Sequence, residues 1–410
     1  MAIRPIVSAL KRNRMGAALV VVQVALTLAI LSNVLSVVVD RASLVLRPTG
    51  MQEDGLFALG YRYTNDDGTL PSVARDLAAL RGTPGVVDAV ATNSYPLHGG
   101  GWAEGIGLAP GEAAAKASQG YGKIYAMDGH GIPTLGLRLI AGRNFTANDV
   151  FDGAYNRGPL PPVAIITSFL AHRLYGDQAA VGKTLYLASD PTKPIAVIGV
   201  IVRLQTPAAA ESVDPATAEA SILLPVRAAG VGGAYLIRAH PDALDATMAA
   251  AKASLVHANA NRIFGRLRPF AEIRATAYAK DRGLAIAMAI VTAVLVVITA
   301  LGIIGLTSFW VVRRRGQVGL RRALGATRAA IVGYFLTENA LLCCTGVVAG
   351  AIASFGLNAW LWTRYGVDRL PGPQVLGCCL LVVVVGQLAA LWPAIKAARL
   401  APIEALRAGP

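Results

Sequence analysis

Apolar residues in this chain gather into four long runs. Gly16–Val39, Leu284–Val312 and Val375–Ile395 carry no charge, and Ala329–Leu357 carries only Glu338. Each run reaches the ~20 residues that cross ~30 Å of hydrocarbon. The pattern predicts an α-helical membrane protein with four transmembrane helices, at 16–39, 283–312, 329–357 and 375–395. A large mixed α/β domain, 40–282, is inserted between helices 1 and 2. The remaining pieces are short: a tail at 1–15, a segment at 313–328, a loop at 358–374 and a tail at 396–410. The first run follows Arg4, Lys11, Arg12 and Arg14, as a signal peptide would. It is far longer than the ~7–15 apolar residues of a signal, and Val37–Asp40 closes it without a small-residue cleavage site. An uncleaved anchor is expected.

Within the insert the period changes. Gly55–Thr64 and Val86–Thr92 read as strands around a helix at Pro71–Gly82. His98–Gly111 is rich in glycine and reads as a loop. Pro162–Gly176 passes from strand to helix, Lys183–Ala188 and Pro194–Leu204 return to strand, and Ser221–Val226 and Gly233–Ala239 add two more. Pro241 and Asp242 open a helix over Pro241–Ala260. Pro207–Ala220, rich in Ala and Pro, reads as a flexible connection between subdomains. The length suits one large domain or two small ones.

Composition agrees with the pattern: 54% of residues are hydrophobic, 15% are charged and the mean hydropathy is +0.52, too apolar for a soluble chain of this size. The net charge of +14 is unevenly placed. The two tails and the 313–328 segment hold thirteen basic residues against Glu404, whereas 40–282 holds 23 basic and 21 acidic residues. Short basic segments mark the cytoplasmic side. Both termini are therefore expected in the cytoplasm and the insert outside, in a multi-pass protein of the inner (cytoplasmic) membrane. The same placement removes nucleic acid as a partner, because the basic excess is spent on topology.

Catalytic signals do not accumulate. The four cysteines, Cys343, Cys344, Cys378 and Cys379, all fall in apolar runs, so no disulfide staples the insert. The five histidines show no metal-ligand spacing. No span contains a His or Asp for proteolysis within the membrane. Gly176–Thr184 resembles a phosphate loop, but five residues rather than four separate Gly176 from Gly182-Lys183-Thr184, and a helix precedes it. No cofactor is expected on this chain.

Packing chemistry remains. Gly346 and Gly350 form a small-xxx-small pair that lets helices approach closely. Gln23 and Thr27 share one face of the first span, placed to bond across a subunit interface or within one bundle. Glu338 is the costliest residue in the spans: a functional candidate by default, or the partner of a nearby arginine. The segment Arg313–Arg328 is pinned at both ends, carries six arginines and no acid, and holds a small apolar repeat at Val318, Leu320, Ala323 and Leu324. It reads as an amphipathic turn for touching another protein at the membrane face.

These features together resemble the membrane subunit of MacB/FtsX-type ABC transporters. Arg313–Thr327 resembles that family's arginine-rich stretch, Leu336–Leu342 follows it as expected, and Pro393–Arg407 resembles its closing motif. Gly136–Val150 and Val163–Leu187 resemble its periplasmic core domain. One departure is Gln317, where the family commonly has Glu. The resemblance implies a non-catalytic permease whose segment after the second span meets a cytoplasmic ABC ATPase through Arg315, Gln317, Val318, Gly319, Leu320, Arg321, Arg322, Leu324 and Gly325. ATP and Mg would be bound by that partner. A second permease copy or a paralogous permease would complete a homo- or heterodimer, and movement would pass along the helices to the exported domain. At about 1.5 Å per residue the uncharged second span is about 43 Å long, longer than the hydrocarbon core. Because the first span starts at Gly16, a separate ATPase is expected. Efflux from the periplasm through an adaptor and an outer-membrane channel is the leading expectation. Lipoprotein extraction of the LolC/LolE kind and FtsX-like signalling to a cell-wall hydrolase are the alternatives.

Overall fold

The computed structural model describes residues 14–64, 70–114, 120–153, 160–207, 217–228, 232–259, 262–365 and 369–399. Arg4, Lys11 and Arg12 of the first tail and Glu404 and Arg407 of the last lie outside the described residues. So does 208–216 of the Pro207–Ala220 connection.

In chain order, α1 (Arg14–Leu46) is followed by β1 (Leu56–Tyr63), α2 (Leu70–Arg81), β2 (Val86–Thr92), β3 (Trp102–Gly107) and β4 (Tyr121–Ala126). Next come α3 (Gly131–Leu135), β5 (Leu139–Gly142), β6 (Phe151–Gly153), β7 (Val163–Thr167), α4 (Ser168–Tyr175), β8 (Thr184–Leu187) and β9 (Asp190–Ile201). The inserted domain ends with β10 (Ser221–Leu224), β11 (Val226–Ala228), β12 (Gly232–Ala239), α5 (Leu244–Ala258), β13 (Arg262–Pro269) and α6 (Phe270–Ala277). The chain closes with α7 (Ala279–Arg313), α8 (Arg315–Ala323), α9 (Arg328–Tyr365) and α10 (Gly372–Ala398). It divides into two compact units, Met1–Leu44 with Asp281–Pro410, and Val45–Lys280.

Among the described residues, the first unit contains four helices long and apolar enough to cross a membrane: α1, α7, α9 and α10. Two overrun the apolar runs that predict them. α1 continues to Leu46 because nothing in Arg41–Leu46 breaks a helix before Pro48. α9 continues to Tyr365, so the first half of the stretch 358–374 is helix where a loop was expected. Apolar runs mark hydrocarbon, whereas a helix ends only where its backbone is interrupted.

Small residues bring these helices together. A Cβ added at Gly346 would lie 2.7 Å from Val24 Cβ, and one at Gly350 would lie 2.8 Å from Ala25 O. Ser354, one turn further along α9, is hydrogen-bonded to Ser32 of α1. Gly346, Gly350 and Ser354 thus form an i, i+4, i+8 stripe seated on α1. On its other side α1 meets α7: Thr27 Oγ1 and Thr299 Oγ1 are 2.7 Å apart, and Gln23 Nε2 donates to Ile298 O at 3.2 Å. α9 meets α10 through Asn339 Nδ2, which donates to Gly386 O at 2.9 Å. Beyond the apolar region, Arg41 donates to Asp281 at 2.8 Å and ties α1 to α7.

The inserted domain nests one fold inside another. Strands β13, β1, β12 and β2 form an antiparallel sheet in that order. With α2 joining β1 to β2 and α5 joining β12 to β13, this is the split β-α-β arrangement. The segment between β2 and β12 forms sheets of its own. Its sheet runs β5-β9-β7-β10-β4-β3-β8, and β8 also pairs with β9, so six of its strands close into a ring. A short β6–β11 pair stands beside it.

Alternating side chains feed different cores. Phe57 and Leu59 of β1 pack with Val73, Leu77 and Leu80 of α2 and Leu255 of α5. Leu56 and Ala58 point the other way and join Tyr125, Ile165, Leu204 and Leu223 of the ring. Ile106, Ile124, Ile166, Leu185 and Ile222 form the ring's own core, with Leu170 and Leu174 of α4. Beneath α2 a buried charge is paired through one oxygen: Asp76 Oδ2 accepts from Tyr63 at 2.7 Å, from Tyr235 at 2.6 Å and from Arg262. Burial pushes the Tyr63 phenol up to about 12, so at neutral pH it is a donor to the carboxylate.

Two expectations in this domain are corrected. His98–Gly111 is not all loop, since β3 occupies Trp102–Gly107. Gly105 and Gly107 are needed in β3 because Ala113 crosses so closely that added Cβ atoms would lie 2.7 Å from Ala113 O and 2.5 Å from Ala113 N. The Pro207–Ala220 stretch does not join subdomains either. It leaves β9 and returns to β10, both in the ring; low hydrophobicity identifies a connection but not what it connects.

Gly350→Leu should force α1 and α9 apart, an overpacking cost of about 1–3 kcal/mol. In a background without the native cysteines, Ser32→Cys with Ser354→Cys should cross-link readily, and adding Gly350→Leu should sharply reduce the yield. An unchanged yield would mean that the glycine stripe does not set this contact.

Candidate functional site

The bundle end at the C-terminus of α7 is built by α7, α8, α9 and the last turns of α10. α7 reaches Val311 and Val312 and then meets three arginines. Arg314, at φ −105° and ψ 14°, departs from helical geometry, and the chain turns into α8. Four residues then stop α8 and start α9. Gly325 sits at φ +93°, a conformation open to glycine. Ala326 N–H donates to Arg321 O at 3.0 Å and Gly325 N–H to Arg322 O at 3.1 Å, the paired bonds of a Schellman stop. Thr327 Oγ1 accepts from Ala330 N–H at 3.2 Å and caps α9.

α8 is keyed to the bundle by three contacts. Val318 is buried with Val311, Ile331, Phe335, Ala394 and Ala397. Arg314 Nη1 donates to both oxygens of Glu338, at 3.0 and 2.8 Å. The Arg321 guanidinium lies 4.8 Å from the Tyr334 ring centroid, within cation–π range. The opposite side of α8 is bare: Leu320 is 55% exposed and Leu324 79%, four residues apart and so on one face.

A family model described as FtsX-like permease C-terminal matches residues 289–402, and one described as MacB-like periplasmic core domain matches residues 15–260. The chain belongs to the MacB/FtsX-type ABC transporter permease family. YknZ of Bacillus subtilis, an uncharacterized ABC transporter permease, is 26% identical over 275 residues, 66% of each chain. The macrolide export ATP-binding/permease protein MacB of Chromobacterium violaceum is 25% identical over 279 residues, 66% of this chain and 41% of that one. The match therefore spans slightly less than two thirds of one relative and well under half of the other. The solved extracellular domain of YknZ is similar at 15% identity and a TM-score of 0.32, covering 51% of this chain and all of that one.

In this permease the expected coupling residues do not share one surface. Arg315, Gln317, Leu320, Arg321, Leu324 and Gly325 are exposed, Arg322 is half-buried, and Val318 and Gly319 are buried. The apolar repeat is thereby corrected. Val318 and Leu320, two apart on a helix, point to different faces, so Val318 seats α8 while Leu320 and Leu324 remain outside. Gln23, Thr27, Gly346 and Gly350 lie in contacts within one chain's bundle, and Glu338 takes an arginine partner. The seat itself was missed in the sequence. Ile331, Tyr334 and Phe335 form a face at the start of α9 with i, i+3 and i+4 spacing, but a helix apolar all round hides which face is used. Gly176–Thr184 joins α4 to β8, helix to strand, the reverse of a phosphate loop.

Removing one partner of the Arg314–Glu338 pair should destabilise the bundle end more than removing both. A double-mutant cycle with Arg314→Ala and Glu338→Gln, read by thermal unfolding in detergent, should give a coupling of about 0.5–3 kcal/mol. Strict additivity would show that the pair contributes nothing.

Proposed function

We propose that this chain is the membrane subunit of an ABC transporter that carries ATP-driven movement from a separate cytoplasmic ATPase to its inserted domain, which lies outside, and so drives efflux of a substrate from the periplasm. The observation that carries this reading is α8. It is locked to α9 and α10 through Val318, Ile331 and Ala394 and to Glu338 through Arg314, yet it presents Leu320 and Leu324 outward. A helix so held cannot absorb a push by local bending, so force at Leu320 and Leu324 moves the bundle. Burying one such leucine contributes roughly 1.5–3 kcal/mol, and the flanking arginines supply charged contacts at the rim. α7 suits the transmitting role. It is the least buried of the four spans, and Ile286, Ile290, Val294, Val297 and Leu301 face away from the chain. That stripe supports pairing with a second permease copy or a paralogous permease. The relative named for macrolide export favours the outward direction.

The side assignment follows from the basic segments. With single cysteines in a cysteine-free background, Thr184→Cys should react with an impermeant thiol reagent in intact spheroplasts and Gly316→Cys should not. The opposite pattern would invert the topology and end the transporter reading.

Coupling has its own test. Leu324→Asp and Leu320→Asp should each strongly reduce co-purification of the ATPase or abolish transport, because a carboxylate would be buried without a partner. The spans should still insert and the large domain should still fold. Wild-type association and transport in both variants would remove α8 from the mechanism.

A further inference from the structure

The elbow between α8 and α9 encloses a cleft that coupling through Leu320 and Leu324 does not use. It holds ≈ 90 Å³, several times the ~10–15 Å³ that one water needs. Arg314, Gln317, Arg321 and Tyr334 stand over a floor that includes Ile331 and Phe335, and Leu320 and Leu324 are not among its walls. No acid lines it. Gln317 is neutral, and Glu338 spends both carboxylate oxygens on Arg314. Arg321 is already oriented by Tyr334, whose ring takes one face of the guanidinium and leaves the N–H edge for a ligand. The position is set by the helices: the apolar residues of α7 end at Val312 and those of α9 begin at Ala329, so the cleft opens at the boundary between hydrocarbon and water.

We propose that this cleft binds the phosphate of an anionic glycerophospholipid headgroup, with acyl carbons lying on the apolar start of α9. Basic pockets between membrane helices at the headgroup level take acidic lipids for this reason. A guanidinium fork matches the non-bridging oxygens of a phosphodiester. The floor selects the lipid over free phosphate, because a hydrated inorganic anion gains nothing from Ile331 or Phe335. A lipid seated there bridges α8 to α9, and its presence holds α8 in the pose that displays Leu320 and Leu324.

The test uses the purified full-length permease in detergent, titrated with phosphatidylglycerol and with phosphatidylcholine and read by native mass spectrometry. Phosphatidylglycerol should bind more tightly. Arg321→Ala should weaken it about fivefold, and Arg321→Lys should retain most of the binding. Arg328→Ala, at the same boundary but outside the cleft, should have no effect. Circular dichroism checks that each variant keeps its helices. Equal binding of the two lipids, no change in Arg321→Ala, or an equal loss in Arg328→Ala would overturn the proposal. Displacement of the lipid by equimolar inorganic phosphate would instead mark a free-anion site. Lost ATPase association in Arg321→Ala with lipid binding unchanged would mark a protein contact. Either result would also overturn it.

Discussion

In hydrocarbon, helices gain little by covering apolar surface from one another, so their association depends on how closely their backbones approach. Here the approach is made at Gly346 and Gly350, where α9 comes so near to α1 that no side chain fits between. α1 then serves two neighbours. One side carries α9 through the glycine stripe and Ser354, and the other carries α7 through Gln23 and Thr27. α10 completes the group by packing on α9 at Gly386, where an added Cβ would lie 2.7 Å from Cys343 Sγ. The result is a firmly packed set of three helices with α7 at its margin.

The charged groups obey a related constraint. A carboxylate away from water is stable only when paired and hydrogen-bonded. Glu338 meets this by taking both bonds from Arg314, and Asp76 by accepting from two tyrosines and Arg262. In each case the pair also joins two separate elements. Arg314 fixes the start of α8 to the body of α9. Arg262 fixes the first residue of β13 beneath α2, in the strand that leads through α6 into α7.

The nested architecture of the inserted domain follows from the way β1 is buried on both faces. Phe57 and Leu59 need the helical layer and Leu56 and Ala58 need the ring, so neither half of the domain is complete without the other. The insertion between β2 and β12 supplies the second layer without breaking the register of the first.

The four spans, the position of the inserted domain and its strand-helix alternation were legible in the sequence, because apolar run length and period 2 or 3.6 are local properties. Tertiary structure decided the remainder. The strand β3 within a glycine-rich stretch depends on Ala113 crossing it, and the destination of the Pro207–Ala220 connection depends on which strands pair. The roles of Val318 and Leu320 separate only when Ile331, Phe335 and Ala394 provide a seat for one of them. Gln23, Thr27, Gly346 and Gly350 were recognisable as packing residues, but their partners lie in other helices, some more than 270 residues away. Side-chain pattern along a chain reports what each segment can bury; which surface it meets is set by segments that the pattern cannot bring together.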